Sequence, residues 1–432
     1  MVEHTAEAQA RHLLDAYVVP NYGRLALVPE RGRGAWLWDA GGKKYLDFGG
    51  GVAVTALGHC HEVLVRALTE QSEKLIHCSN WYQIPEQGRL AQFLTRKVVQ
   101  TPGKCFFCNS GAEANEALVK LARKFGHATP QADGTPRLEI LTFSNSFHGR
   151  TFAGISATAQ QKVKDGFEPL LDGFTHLPFN DCAALEQAVS SRTVALLLEP
   201  VQGEGGIHIA SPEFLRTCAR LCLERNLLLL FDEVQCGLGR AGHWCGWKAV
   251  LGENTDVVPD GVSWAKGIAG GFPLGAAWIR RRPVSPEQPA LPLCDVLGPG
   301  SHGSTYGGNP LGCVVALAVL QEIERAGLCA GSAEAGQRIA ATVSGWKLPA
   351  IRDVRGRGLL LGFEFDAARV EAAADWTPGT TPSIYVVKKL MEAGLLTVAA
   401  GPGVVRWLPP LNVTAEEIAA ALVILKQVAS AL

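Results

Sequence analysis

The chain has 432 residues, 47% of them hydrophobic and 19% charged, a composition that fills more than one core and excludes long disordered stretches. Its 40 basic and 41 acidic residues leave a formal net charge of -1. No global field therefore recruits nucleic acid or an anionic membrane, and a small-molecule partner is expected.

The first fifteen positions carry Glu3, Glu7 and Asp15 and lack the apolar core of a secretory leader. No uncharged run reaches the ~18 residues that a membrane helix needs. Twelve cysteines in a chain this long read as small buried hydrophobes in a reducing compartment, so a cytoplasmic location is expected. Around Gly41 and Gly42, strand signals at 35–39 and 44–48 predict a small antiparallel piece within an N-terminal segment, 1–65. Residues 66–315 are expected to form a large α/β domain. There, short runs rich in Val, Leu, Ile and Phe at 104–108, 138–143, 194–198, 227–231, 261–264 and 276–280 alternate with helical periods. Several of these runs are continuously apolar, as strands of a mostly parallel sheet buried on both faces require.

Two helix starts are explicit. Ser110 and Glu113 are spaced as a capping box ahead of a helix to about Gly126. Ser211-Pro212-Glu213 supplies an N-cap, a first-turn proline and a first-turn acid before Phe214, Leu215, Cys218, Leu221 and Cys222. The proline-rich stretch 283–299 is expected as a surface excursion. Beyond it a helix at 314–324, strands near 359–365 and 404–408 and a final helix at 415–432 predict a smaller C-terminal α+β domain, 316–432.

Ligands of open α/β sheets bind beyond the carboxyl ends of the strands, so polar residues there are the candidates. Ser110-Gly111-Ala112 opens a helix, and its free N–H groups and dipole suit an anion, most naturally phosphate, unless it is an ordinary cap. Asp232 ends an apolar strand, where an isolated carboxylate needs a cation or donor. A pyridinium nitrogen would serve, as would the start of the next helix. Asp232 and Glu233 face opposite sides, which argues against a paired acid/base or two-carboxylate metal site. Lys266 precedes the bend Gly267-Ile268-Ala269-Gly270-Gly271-Phe272-Pro273 and is either a solvated lysine or, in an apolar cofactor-lined site, a nucleophile for a Schiff base. It lies 34 residues after Asp232, one strand–helix–strand unit, which puts both at one sheet edge.

Four segments, Glu199-Pro200-Val201-Gln202-Gly203-Glu204-Gly205-Gly206, Asp232-Glu233-Val234-Gln235-Cys236-Gly237-Leu238-Gly239-Arg240, Ala265-Lys266-Gly267 and Gly303-Ser304-Thr305-Tyr306-Gly307-Gly308-Asn309-Pro310, occur in that order. Together they resemble the signatures of class III, or ω-, aminotransferases over nearly the whole chain. The resemblance implies a fold-type-I enzyme that uses pyridoxal 5'-phosphate, works as a homodimer and needs no metal. It implies Lys266 as the residue that carries the cofactor and moves protons, and Asp232 as the partner of the pyridine nitrogen. Gln235 would contact the phenolic oxygen, Phe147 and Val234 would sandwich the ring, and Ser110, Gly111 and Ala112 would bind phosphate with Thr305 of the neighbouring subunit. Arg150 would clamp a substrate carboxylate, while Glu204 would pair with Arg406 and swing aside to free it for the α-carboxylate of glutamate. Within the family, residues 53–61, 109–116 and 147–151 are most similar to the branch that acts on N2-acetylornithine with 2-oxoglutarate. Ornithine, succinyldiaminopimelate and 4-aminobutyrate stay open as donors, and a decarboxylase or aminomutase as another use of the scaffold.

Other signals are weaker. Cys105 and Cys108 lie i, i+3 on a strand and face opposite sides, and no second such pair completes a zinc site. His59-Cys60-His61 reads as a turn, and Gly356-Arg357-Gly358 with Gly362 lacks the strand-turn-helix context of a dinucleotide site. Glu62 and Trp264 depart from the family pattern. Val52 stands where ornithine enzymes carry a substrate-contacting tyrosine, which weighs against free ornithine.

Overall fold

The computed structural model describes residues 6–432; the reading of the chain start as lacking a leader falls, at 1–5, outside the described residues. A seven-stranded sheet forms the centre, in the order Gly103–Cys108, Gly275–Arg280, Gly261–Trp264, Leu228–Asp232, Thr193–Leu198, Glu139–Phe143 and Phe174–Leu177. Gly275–Arg280 runs antiparallel to both neighbours, and the remaining pairings are parallel. Six strands therefore end on the same side, and that edge carries the polar residues.

The burial pattern explains the pairing. Every residue of Thr193–Leu198 and Leu228–Asp232 is buried, because helices cover both faces. Helix Gly111–Ala128 seals one face with Leu118, Leu121 and Phe125 against Ile140, Leu197 and Leu230. Helix Pro212–Arg225 lies on the other, its Phe214, Leu215, Cys218, Leu221 and Cys222 all buried as the spacing predicts. Each large apolar side chain so removed from water stabilises the fold by roughly 1.5–3 kcal/mol.

Two further sheets flank the centre. The N-terminal piece, expected to be antiparallel, is so only in part, because Leu395–Leu396 joins strand Lys44–Asp47 in parallel. This addition was hidden by the distance along the chain. The C-terminal sheet has the order Ile351–Arg357, Leu360–Phe365, Val404–Trp407 and Val398–Ala400, all antiparallel. The stretch 283–299 is a surface excursion only in part. Residues 286–290 are exposed, whereas Val284 and Leu293 are buried against Phe125 and Ile279, since a proline-rich loop with apolar residues still buries them where it crosses the helix. Among the described residues, no helix is long and apolar enough to cross a membrane.

Candidate active site

The strand ends converge on one cavity of about 450 Å³, within the size range of small-molecule sites. Ser110, Gly111 and Ala112 line it from beyond Gly103–Cys108, Phe147 and Arg150 from beyond Glu139–Phe143, and Asp232, Val234 and Gln235 from the end of Leu228–Asp232. Lys266 enters from beyond Gly261–Trp264. Nine of the sequence-derived residues thus share one space.

Asp232 is 3% exposed and held from three sides. Its Oδ2 accepts from Asn115 Nδ2 at 2.7 Å and pairs with His148 Nδ1 at 2.8 Å, and its Oδ1 accepts from the Val234 amide at 3.0 Å. Asn115 is itself fixed, because Ser263 Oγ donates to its Oδ1 at 2.6 Å. The orientation is set by neighbours, which leaves one carboxylate oxygen with unused acceptor capacity beside the cavity. Glu233 turns the other way and accepts from the Trp247 amide at 3.0 Å; burial pushes its carboxyl up to about 8.

Lys266 sits in the left-handed region at φ 47, an uncommon conformation for a side-chain-bearing residue and one that clusters at functional sites. Burial pulls its amine down to about 8, with Arg406 adding repulsion and Asp232, Glu199 and Glu204 opposing. An amine with that value is neutral often enough at physiological pH to attack a carbonyl.

The helix cap follows the predicted start but not the predicted pairing. Ser110 Oγ accepts from the Glu113 amide at 3.2 Å as expected, yet Glu113 Oε2 takes the Asn109 amide at 2.7 Å instead of returning to that of Ser110. The N–H groups at the head of the helix remain beside the cavity, as an anion site requires. Gly111 is needed there, since a Cβ would come within 2.7 Å of Val234. An anion cradle, a carboxylate and a depressed amine around one cavity fit a phosphorylated pyridine aldehyde: Ser110–Ala112 for its phosphate, Asp232 for its ring nitrogen, Lys266 for its aldehyde. His148 Nε2, buried without a partner, belongs to the same wall.

Arg406 is fully buried, and its NH2 donates to Glu204 Oε2 at 2.9 Å. Its NH1 donates to Gln235 Oε1 at 2.6 Å and to the Gly203 carbonyl at 2.9 Å. The pair is thus adjacent to the cavity through Gln235, not a distant pair of surface charges. Arg150 is exposed at the cavity wall, its guanidinium 5.7 Å from the Phe147 ring centroid. Thr305 does not join them. It lies exposed in a separate cleft with His77, Asn80, Trp81 and Phe106. Val52 adopts φ 64 and packs against the core, while Val54 lines the cavity.

Sequence reasoning assigned no role to His148, Asn115, Ser263 or Glu199. Glu199, 4% exposed, accepts from the Phe147 amide at 2.9 Å and the Gly203 amide at 3.0 Å, tying two loops of the cavity together. Burial and Asp232 raise its carboxyl to about 7, with His148 and the two amides opposing. Its place after an apolar strand marks it among the polar strand ends of the sequence, but nothing there indicates its role.

The class-III aminotransferase model matches residues 17–429. An acetylornithine aminotransferase of Synechocystis sp. is 43% identical over 96% of this chain and 91% of its own length, and one from Caldanaerobacter subterraneus is 42% identical over 96% and 97%. Among solved structures, the ornithine aminotransferase of Toxoplasma gondii superposes with a TM-score of 0.87 at 30% identity, covering 99% of this chain and 96% of that one. The acetylornithine aminotransferase of Elizabethkingia anophelis gives 0.80 at 30% identity, covering 98% of both.

Proposed function

The chain belongs to the class-III aminotransferases, a pyridoxal-phosphate-dependent family, and from that premise we propose that it moves the terminal amino group of N2-acetyl-L-ornithine to 2-oxoglutarate. The products are N-acetyl-L-glutamate 5-semialdehyde and L-glutamate, a step of arginine biosynthesis. The observation that carries this reading is the Glu204–Arg406 pair, 2.9 Å apart beside Gln235 and the cavity. A carboxylate that masks a buried arginine suits an enzyme whose two amino donors differ in having an α-carboxylate at the reacting end. The names of the relatives favour N2-acetylornithine over other ω-amines.

When bound, the cofactor supplies an electron sink for the carbon that loses its proton. In this reading Lys266 receives that proton and returns it on the far side of the transfer, and its amine, held near neutrality, is matched to the task. Asp232, braced by Asn115 and His148, would hold the cofactor's ring nitrogen and favour its protonated form, a charge-assisted contact worth roughly 1.5–3 kcal/mol. Gln235 keeps Arg406 aligned and offers its amide to the cavity. Arg150 binds a substrate carboxylate with its planar fork. With Glu204 over Arg406 the site takes the ω-amine; with Glu204 aside, Arg406 takes the α-carboxylate of glutamate.

The same reading makes the enzyme a homodimer in the cytoplasm, with Thr305 presented to the partner's site. Its support is the exposure of Thr305 beside Trp81, 94% exposed, and Tyr306, 63% exposed. The domain division at 65 and 315 goes with it.

Steady-state assay of N2-acetylornithine, ornithine, succinyldiaminopimelate and 4-aminobutyrate tests the donor. The expected result is the highest kcat/KM for N2-acetylornithine, and a higher value for any other donor overturns the assignment. Glu204→Ala is expected to change the ratio of the ω-amine to the glutamate half-reaction by roughly tenfold, the scale of one charged contact. Single-turnover absorbance with each donor alone measures that ratio, and equal loss in both arms would remove the switch.

A further inference from the structure

Two arginines stand on one row of the C-terminal sheet. Arg355 is paired in register with Gly362, and Gly362 with Arg406. Directly opposed residues project to the same face, so both arginines leave that face with only a glycine between them. They reach the same loop. Arg406 NH1 donates to the Gly203 carbonyl at 2.9 Å, and Arg355 Nε donates to the Gly206 carbonyl at 2.9 Å. Arg355 is anchored behind by Asp353 Oδ2 at 2.7 Å and Glu364 Oε2 at 2.5 Å.

The loop between them carries Glu204 and is not relaxed. Ile207 is buried at φ 57, a conformation that a β-branched residue keeps only where its surroundings impose it. Gly362 supplies the seat, since a Cβ there would come within 2.9 Å of Ile207 Cγ1. At the loop base the Gln202 amide donates to the His208 carbonyl at 2.8 Å, and the Gly203 amide to Glu199 at 3.0 Å. Glu204 is thus held from below by its own strand ends and from above by Arg355 and the glycine seat.

We propose that Arg355 is a positioning residue that sets how firmly Glu204 covers Arg406, and so sets the balance between the two amino-group partners. The inference rests on the Glu204–Arg406 switch proposed above. Loss of the bond to Gly206 lets the strained segment relax, and Glu204 leaves Arg406 more often. The half-reaction that needs Glu204 in place then weakens, while the one that needs a free Arg406 does not.

The test uses holoenzymes of Arg355→Gln, Arg355→Lys and Glu204→Ala, with N2-acetylornithine and glutamate half-reactions followed separately by single-turnover absorbance. For Arg355→Gln the ratio of kcat/KM for the ω-amine over that for glutamate is expected to fall about five- to tenfold, the lower end of measured couplings between sites. Faster hydrogen exchange at the Gln202 and Gly203 amides should accompany it. Arg355→Lys keeps a charge beside Glu364 but cannot hold that carboxylate and the Gly206 carbonyl with one fork, so it should shift the ratio in the same direction. A ratio unmoved in both Arg355 variants, equal loss in both half-reactions, or full recovery with lysine overturns the proposal. Glu204→Ala separates the two ideas. If it shifts the ratio and the Arg355 variants do not, only the role of Arg355 falls; if it leaves the ratio unchanged, the switch falls and this inference with it.

Discussion

Replacing Lys266 by alanine is expected to lower turnover by roughly 10⁴-fold or more, the joint loss of a covalent anchor and a general base, in a protein that still folds. Alanine removes an amine whose burial opposes its own charge and inherits the same positive φ, so the change in stability should stay within about 1 kcal/mol. The pH dependence has a definite sign. The folded amine is depressed to about 8 from an ordinary 10.5, so between those values the unfolded apo chain holds a proton that the folded one has released. The stability of the cofactor-free protein relative to its Lys266→Ala variant should therefore rise as pH climbs through that window. The rate at which the cofactor-free protein takes up the aldehyde should likewise climb toward pH 8 and level off above it. Borohydride reduction followed by peptide mass analysis checks the anchor: the Lys266 peptide gains the cofactor mass in the parent and in no other peptide. A variant that stays within about tenfold of the parent rate, less than general-base catalysis usually contributes, would take Lys266 out of the chemistry.

The elements easiest to read in the sequence were those whose environment is uniform. Thr193–Leu198 and Leu228–Asp232 are buried throughout, and two-sided burial writes itself as the unbroken apolar runs 194–198 and 228–231. Phe174–Leu177 escaped because it is the edge strand of the sheet, half-exposed. Ile351–Arg357 escaped because an edge strand with Arg352, Asp353, Arg355 and Arg357 carries the charges that keep an edge from pairing further. The site divides along similar lines. Lys266 and Asp232 were legible because a polar residue at the end of an apolar run has few reasons to be there. Their supports were not: Asn115 and His148 lie 117 and 84 residues from Asp232, and only the packing of helix Gly111–Ala128 and the 146–150 turn against one strand end brings them together. The same holds for Arg355, whose place in one row with Arg406, across Gly362, is a matter of strand register.

Asp232→Asn isolates what that support is for, and is expected to lower turnover by about 10²-fold or more, the upper range for a hydrogen bond to a charged group. Asparagine has the shape of aspartate but an NH2 group with two donors in place of one acceptor oxygen. Oδ2 now receives from Asn115 at 2.7 Å and His148 at 2.8 Å, and Oδ1 from the Val234 amide at 3.0 Å, so an amide nitrogen meets two donors at the first position and one at the second, and the second costs less. There it would turn a donor toward the cavity where the ring nitrogen is expected, and a nitrogen that accepts a hydrogen bond is not protonated. The variant should therefore keep its fold, its helix-head anion site and its Lys266 anchor, and lose the electron-withdrawing ring. Glu199 reports the same substitution independently. Asp232 helps hold its carboxyl up at about 7, so removing that charge should move its titration downward, a shift that carboxyl infrared difference spectra against pH can follow. Retention of cofactor with turnover within about tenfold of the parent would mean that the charge on Asp232 does not matter. His148→Gln sharpens the comparison: it removes the ring donor, one of the three that fix the carboxylate, but leaves the charge, so its cost should be clearly smaller than that of Asp232→Asn.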